Sequence, residues 1–217
     1  MPNLPISQLP VAGSLTGTEL FAVVQDGVTK YTTLQAVNTA TTVNYGLFNQ
    51  TGSSIPVTGS GTGVATSGSL LDGGIGTLSV PANGFSVGDG FQALFTGKLE
   101  IANNHTLEIR VKADGVTLAD TGQIIMAGTT DKNWRLEIDF SINAIGGAGS
   151  AVIATAGLFT YRTDSAGDVK GEIFSFVNSS SFDTTITNTL EVEAILGTAC
   201  GINEYIYSEY FTLRKTF

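Results

Sequence analysis

From about residue 77 onward the chain alternates apolar and polar side chains with a period of two. Leu107, Ile109 and Val111 interleave with Glu108, Arg110 and Lys112, and Leu136, Ile138, Phe140 and Ile142 with Glu137, Asp139, Ser141 and Asn143. Leu99 and Ile101 stand against Lys98 and Glu100, and Leu190 and Val192 against Glu191 and Glu193. That period puts one face of an extended strand on a core and the other toward water or a neighbouring subunit. Turn-forming clusters punctuate the runs: Gly88-Asp89-Gly90, Asn103-Asn104, Asp114-Gly115, Gly146-Gly147 and Ser165-Ala166-Gly167. No helical period appears. The pattern predicts an all-β domain over residues 77–217, a β-sandwich of jelly-roll type.

Two other regions precede it. Residues 1–38 open with Pro2, Pro5 and Pro10, which forbid a helix and favour an extended arm. Two β-prone runs follow, Thr18 to Gln25 and Val28 to Thr32, around Asp26-Gly27, the signature of a tight hairpin. Thr33 is placed to cap a short helix at Leu34-Gln35-Ala36-Val37. A hairpin of this size is marginal alone and calls for a partner surface. Residues 39–76 are rich in Gly, Ser and Thr, as in Gly59-Ser60-Gly61-Thr62-Gly63, and hold no sustained period. They read as a linker, or a stalk ordered between copies.

Charge narrows the classes. Charged residues are 13% of the chain, about half the usual share, and the space is filled by small hydrogen-bonding residues suited to packing in an assembly. Ten basic residues stand against 19 acidic ones, with no basic run. Binding to nucleic acid needs the reverse balance, so none is expected. No Lys or Arg precedes Lys30, which argues against an ordinary signal peptide. No stretch approaches the roughly 18 apolar residues needed to span a bilayer, and no membrane insertion is expected.

The candidate chemistry is thin. One cysteine, Cys200, excludes an intrachain disulfide, and no histidine stands near it in sequence. His105, the single histidine, follows a turn signal and reads as a surface residue. One His and one Cys do not make a His-rich metal site. The carboxylate pairs Glu137/Asp139 and Glu191/Glu193 share a strand face at i, i+2, as solvated positions do, which leaves little for glycoside hydrolysis. Asp164 and Asp168 flank a loop without the spacing of a calcium loop. The Gly-rich stretch at 59–63 lacks the lysine of a phosphate loop. No catalytic residue, cofactor or metal is expected.

The last strand, Tyr205 to Leu213, carries large side chains on both faces. Its alternation places Tyr207 and Phe211 on one face and Ile206 and Tyr210 on the other. These four are expected to serve a threefold interface, since tyrosine suits a surface with one apolar and one wet end. Trp134 is the candidate for stacking on a sugar.

Two stretches resemble a known family. Ile6-Ser7-Gln8-Leu9-Pro10, then Leu15-Thr16-Gly17-Thr18-Glu19-Leu20 and Val24 to Lys30, resemble the N-terminal module of bacteriophage tail and head fibre proteins. The stretch from Gly74 to Asn83, with Trp134 to Ile138 and Asn188 to Val192, resembles the C-terminal β domain of phage fibre and capsid-decoration proteins, a trimeric jelly roll of the tumour-necrosis-factor type. The resemblance implies a homotrimeric structural protein of the virion, assembled in the host cytoplasm. Its arm would attach to other virion proteins of capsid or tail through Leu4, Pro5, Ile6, Leu9 and Pro10. The short, non-repetitive connection favours a stubby head decoration or short adaptor over a long fibre. A tip binding a host-surface glycan or receptor is the alternative, and a polysaccharide depolymerase a more distant one.

Overall fold

The computed structural model describes residues 20–25, 27–33 and 46–216, with side chains at 27–30 and 46–216. The chain divides into two compact units, Met1–Asn44 and Tyr45–Phe217. Every element among the described residues is a strand.

In the first unit β1 (Leu20–Gln25) and β2 (Val28–Thr33) pair antiparallel, from Leu20↔Thr33 to Gln25↔Val28. Gly27 takes φ +73°, the left-handed geometry a two-residue hairpin turn requires. Thr33 closes β2; the short helix expected after it and the attachment residues Leu4, Pro5, Ile6, Leu9 and Pro10 lie outside the described residues.

The second unit is a sandwich. Its short strands come first: β3 (Leu47–Gln50), β4 (Val57–Thr58), β5 (Thr66–Ser69), β6 (Gly74–Thr77) and β7 (Ser79–Val80). The long ones follow: β8 (Gly90–Ile101), β9 (Thr106–Ala113), β10 (Val116–Asp120), the brief β11 (Ile124–Ile125), β12 (Thr129–Ala144), β13 (Val152–Arg162), β14 (Val169–Asn178), β15 (Asn188–Leu196) and β16 (Tyr205–Lys215). The larger sheet runs β14-β13-β12-β8-β16-β3-β6, with β4 also on β16. The smaller runs β10-β9-β15-β5, with β11 on β9 and β7 on β15. From β8 onward the chain crosses between sheets at β8–β9, β11–β12, β14–β15 and β15–β16. The first two long strands therefore lie against the last two, β8 on β16 and β9 on β15, as in a jelly roll.

The period-two pattern builds the core directly. On β9 Leu107, Ile109 and Val111 point inward, and on β12 Leu136, Ile138, Phe140 and Ile142 do so; all are buried. They meet Leu190, Val192, Ala194 and Leu196 of β15 and Phe91, Ala93, Phe95 and Leu99 of β8. Each such side chain contributes roughly 1.5–3 kcal/mol over its exposed state. Asp114-Gly115 turns β9 into β10 with φ +44° and +78°, both positive as a type I′ turn demands.

One expected boundary moves. Residues 46–76 are part of the sandwich and do not form a free connection. β3 pairs with β16 and with β6, and β5 pairs with β15. A buried polar knot fastens the segment: Ser208 Oγ donates to the Leu70 carbonyl at 2.5 Å, Gln50 Nε2 donates to Ser208 Oγ at 3.1 Å, and Ser208 N–H donates to Ser54 Oγ at 2.9 Å. The composition of the segment has a packing reason. At Gly76, φ is +108° and a Cβ would overlap the Leu47 carbonyl, so only glycine fits between β3 and β6.

Candidate functional site

The outer face of the larger sheet is the most distinctive surface. A β-bulge sets its pattern. Ser208 pairs with Gly97 but Tyr210 with Thr96, so Glu209 is an extra residue on β16 and the alternation slips by one. Ile206 and Phe211 consequently both point into the core and are fully buried, while Tyr205, Tyr207 and Tyr210 share the outer face. This corrects the expected faces: Ile206 and Phe211 are core residues and cannot meet another subunit, whereas Tyr207 and Tyr210 can. Phe211 stacks on Phe95 at 4.2 Å between centroids and lies 5.7 Å from Phe48.

The Tyr205 and Tyr207 rings lie 5.8 Å apart, tilted by 33°. Tyr205 OH donates to Asp131 Oδ1 at 3.1 Å. Burial, and then that bond, push the Tyr205 hydroxyl up to about 12, so it stays a donor at any ordinary pH. With Pro56, Thr58, Glu100, Ile202 and Asn203 the two tyrosines line a shallow depression of about 500 Å³.

Trp134 is not part of any exposed surface. It is 2% exposed, and its indole N–H is shared between the carbonyls of Lys98 (3.0 Å) and Tyr207 (3.1 Å). Phe159 lies 6.0 Å from it. It points inward because it falls in phase with Leu136 and Ile138 on β12, and the expected sugar contact at Trp134 is thereby excluded.

Toward its far edge the same sheet carries exposed apolar side chains on its outer face. The cross-strand row Leu94, Glu137, Leu158, Ile173 runs outward across β8, β12, β13 and β14. Leu158 is 39% and Ile173 79% exposed, and Val177 and Val169 of β14 are also exposed. Among the described residues β14 has β13 as its ladder partner, and its Asn178 Nδ2 donates to the Thr117 carbonyl of β10 at 2.9 Å.

The carboxylates fall on separate surfaces with local partners. Glu137 pairs with Arg135, and Asp139 accepts from Gln92 Nε2 at 3.0 Å. Glu193 accepts from Lys112 Nζ at 2.6 Å on the other sheet. Asp164 accepts from Thr130 N–H and Oγ1 at 3.0 and 2.9 Å, which ties the 164–168 loop to the start of β12. These bonds hold the Asp164 carboxyl below its ordinary range.

The two singular residues do come together. His105 Nδ1 lies 2.9 Å from each oxygen of Glu204, and the buried Cys200 is beside them. Cys200 thus has a histidine neighbour that sequence proximity did not reveal, because 95 positions separate them in the chain. Burial, then the Glu204 charge, push the thiol up to about 11, which keeps it protonated near neutral pH and ill suited to act as a nucleophile. The legible signal was Cys200-Gly201-Ile202-Asn203-Glu204, a carboxylate at the end of a glycine-containing loop; its histidine partner comes only from the fold.

No protein-family model and no curated protein matches the chain. Among solved structures, the metal-free form of lectin I-B4 from Griffonia simplicifolia is similar at 11% identity and a TM-score of 0.36, covering 79% of this chain and 94% of the lectin. Similarity at that level carries no argument about activity.

Proposed function

We propose that the chain is a structural protein of a bacteriophage particle, a homotrimeric head fibre, capsid decoration or short tail-fibre component. Residues 1–38 attach it to other virion proteins, and the sandwich projects. The observation that carries this reading is the exposed aliphatic surface of Leu158, Ile173, Val177 and Val169 on the outer sheet. Apolar side chains clustered on one surface call for cover by protein, and copies of the same chain are the partner always present. A closed ring consumes the surface without a runaway filament. The division into two units and the N-terminal resemblance support an attachment module distinct from the sandwich.

Mass in solution tests it. Three copies of the 22.5 kDa chain are expected, with Ile173→Asp reducing the assembly to single, folded chains. A single chain at high concentration would sink the trimer. Deleting residues 1–38 should leave the assembly intact and abolish incorporation into particles.

A second reading rests on the tyrosine depression. Paired rings beside Asn203 and Glu100 offer a sugar both a face to stack on and hydrogen-bonding groups. Glycan-array binding that disappears in Tyr207→Ala, with the mass unchanged, would establish host adhesion. Binding untouched by that change would remove this surface from consideration.

A further inference from the structure

Three side chains with metal-ligand chemistry meet where two sheet-crossing loops touch. His105 closes the β8–β9 loop, and Cys200 and Glu204 belong to the β15–β16 loop. Their nitrogen, sulfur and oxygen ligand atoms all lie within 4.8 Å of one another. Cys200 is fully buried and Glu204 is 8% exposed, while the His105 side chain keeps 28% of its surface open. The imidazole is therefore the most open part of the cluster.

We propose that His105, Cys200 and Glu204 form a binding site for a divalent transition metal of the zinc class. The donor set decides the class. Calcium and magnesium take oxygen ligands, whereas a nitrogen, a sulfur and a carboxylate together suit zinc. Zinc bonds of about 2.0–2.3 Å in a tetrahedron place ligand atoms roughly 3.3–3.8 Å apart. The His105–Glu204 pair, at 2.9 Å, has to open by less than an ångström, and the widest pair, within 4.8 Å, has to close by about 1.3 Å at most to reach tetrahedral spacing.

The surroundings are already those of an oriented ligand. Ala102 N–H donates to Glu204 Oε1 and Gly201 N–H to Oε2, each at 2.5 Å. Each oxygen retains a lone pair, and these are what His105 now faces. A metal entering there replaces the imidazole contact and leaves both backbone bonds in place, the usual outer support of a ligating carboxylate. A third segment holds the loop from behind, with Gly61 N–H donating to the Cys200 carbonyl at 3.1 Å and Gly59 N–H to that of Glu204 at 2.9 Å. Binding forms a metal–sulfur bond and releases the thiol proton to solvent. Three protein ligands leave a fourth position open to water on the His105 side. Bound metal ties the β8–β9 loop to the β15–β16 loop, two of the connections that pass between the sheets.

Cobalt(II) is the probe, because a thiolate ligand adds an intense near-ultraviolet charge-transfer band to the visible bands of a tetrahedral ion. The full chain has one cysteine and one histidine, so that band has a single source. One cobalt per chain with a thiolate band, displaced by stoichiometric zinc, is expected. Cys200→Ser should lose the band, and His105→Gln should weaken zinc binding at least about 10–100-fold, the loss that even outer-shell changes cause. Zinc should raise the melting temperature of the native chain and not of Cys200→Ser. Wild-type protein that shows no thiolate band at stoichiometric cobalt would overturn the proposal and leave a hydrogen-bonded cluster; this readout does not depend on any variant folding. Binding of equal strength in all three proteins would overturn it too.

Discussion

Phe211 and Tyr210 are neighbours on β16 with opposite fates, and truncating each in turn tests the bulge that separates them. Phe211 is fully buried, stacked at 4.2 Å on Phe95 and 5.7 Å from Phe48. A buried phenylalanine removes about 150–250 Å² from water, and cutting it to alanine forfeits roughly 100–150 Å² of that. At about 25 cal/mol per Å² the transfer loss is about 3 kcal/mol. The unfilled hole brings Phe211→Ala to about 3–5 kcal/mol. With a urea slope of about 2 kcal/mol per molar, the unfolding midpoint should fall by about 2 M. Tyr210 is 43% exposed, and Tyr210→Ala should cost the isolated subunit about 0.5 kcal/mol or less. Urea unfolding followed at two protein concentrations separates the roles, because stability held by assembly depends on concentration. Phe211→Ala should show the same displacement at both; an interface role for Tyr210 should show a displacement that grows on dilution. If Phe211→Ala stays within about 1 kcal/mol of wild type while the mass in solution drops, Phe211 faces another subunit and the bulge is misplaced.

Other outcomes follow from single contacts. Trp134→Phe removes one donor from the Lys98 and Tyr207 carbonyls; a loss of about 1–3 kcal/mol in urea unfolding is expected, with glycan binding, if any, unchanged. Gly76→Ala forces a Cβ onto the Leu47 carbonyl at φ +108°; limited proteolysis should then cut within residues 46–77, a segment protected in the parent chain. The hydrogen bond from Lys112, opposed by burial, lowers the Glu193 carboxyl. Its stabilisation is present above the unfolded value of about 4.3 and is lost as pH falls through the folded one. Glu193→Gln should accordingly be less stable than wild type near neutrality, with the difference vanishing in acid, as measured by unfolding midpoints across that range.

The strands of the second half were legible because each long one buries one face and wets the other. Leu107, Ile109, Val111, Leu136, Ile138, Phe140 and Ile142 all sit where their period put them, and Asp114-Gly115 marked the turn from β9 to β10. Residues 46–76 were not legible as sandwich. Short strands made of Gly, Ser and Thr join by backbone bonds and close approach, and neither leaves a hydrophobic period. The faces of Ile206 and Phe211 were misassigned for a related reason: one extra residue inverts every later side chain, and Glu209 looks like any other exposed position. Trp134 belonged to the core by its phase with Leu136 and Ile138, a signal its chemistry overshadowed.

By itself the amino-acid sequence determined the all-β class, the hairpin near the N-terminus and the inward faces of the regular strands, since those depend on side chains a few positions apart. The tertiary structure alone decided which loops meet. His105 and Cys200 become neighbours because β8 lies on β16 and β9 on β15, which brings the loops that carry them to one end of the sandwich. Strand pairing across a hundred residues is a property of the whole folded core, and no local pattern encodes it.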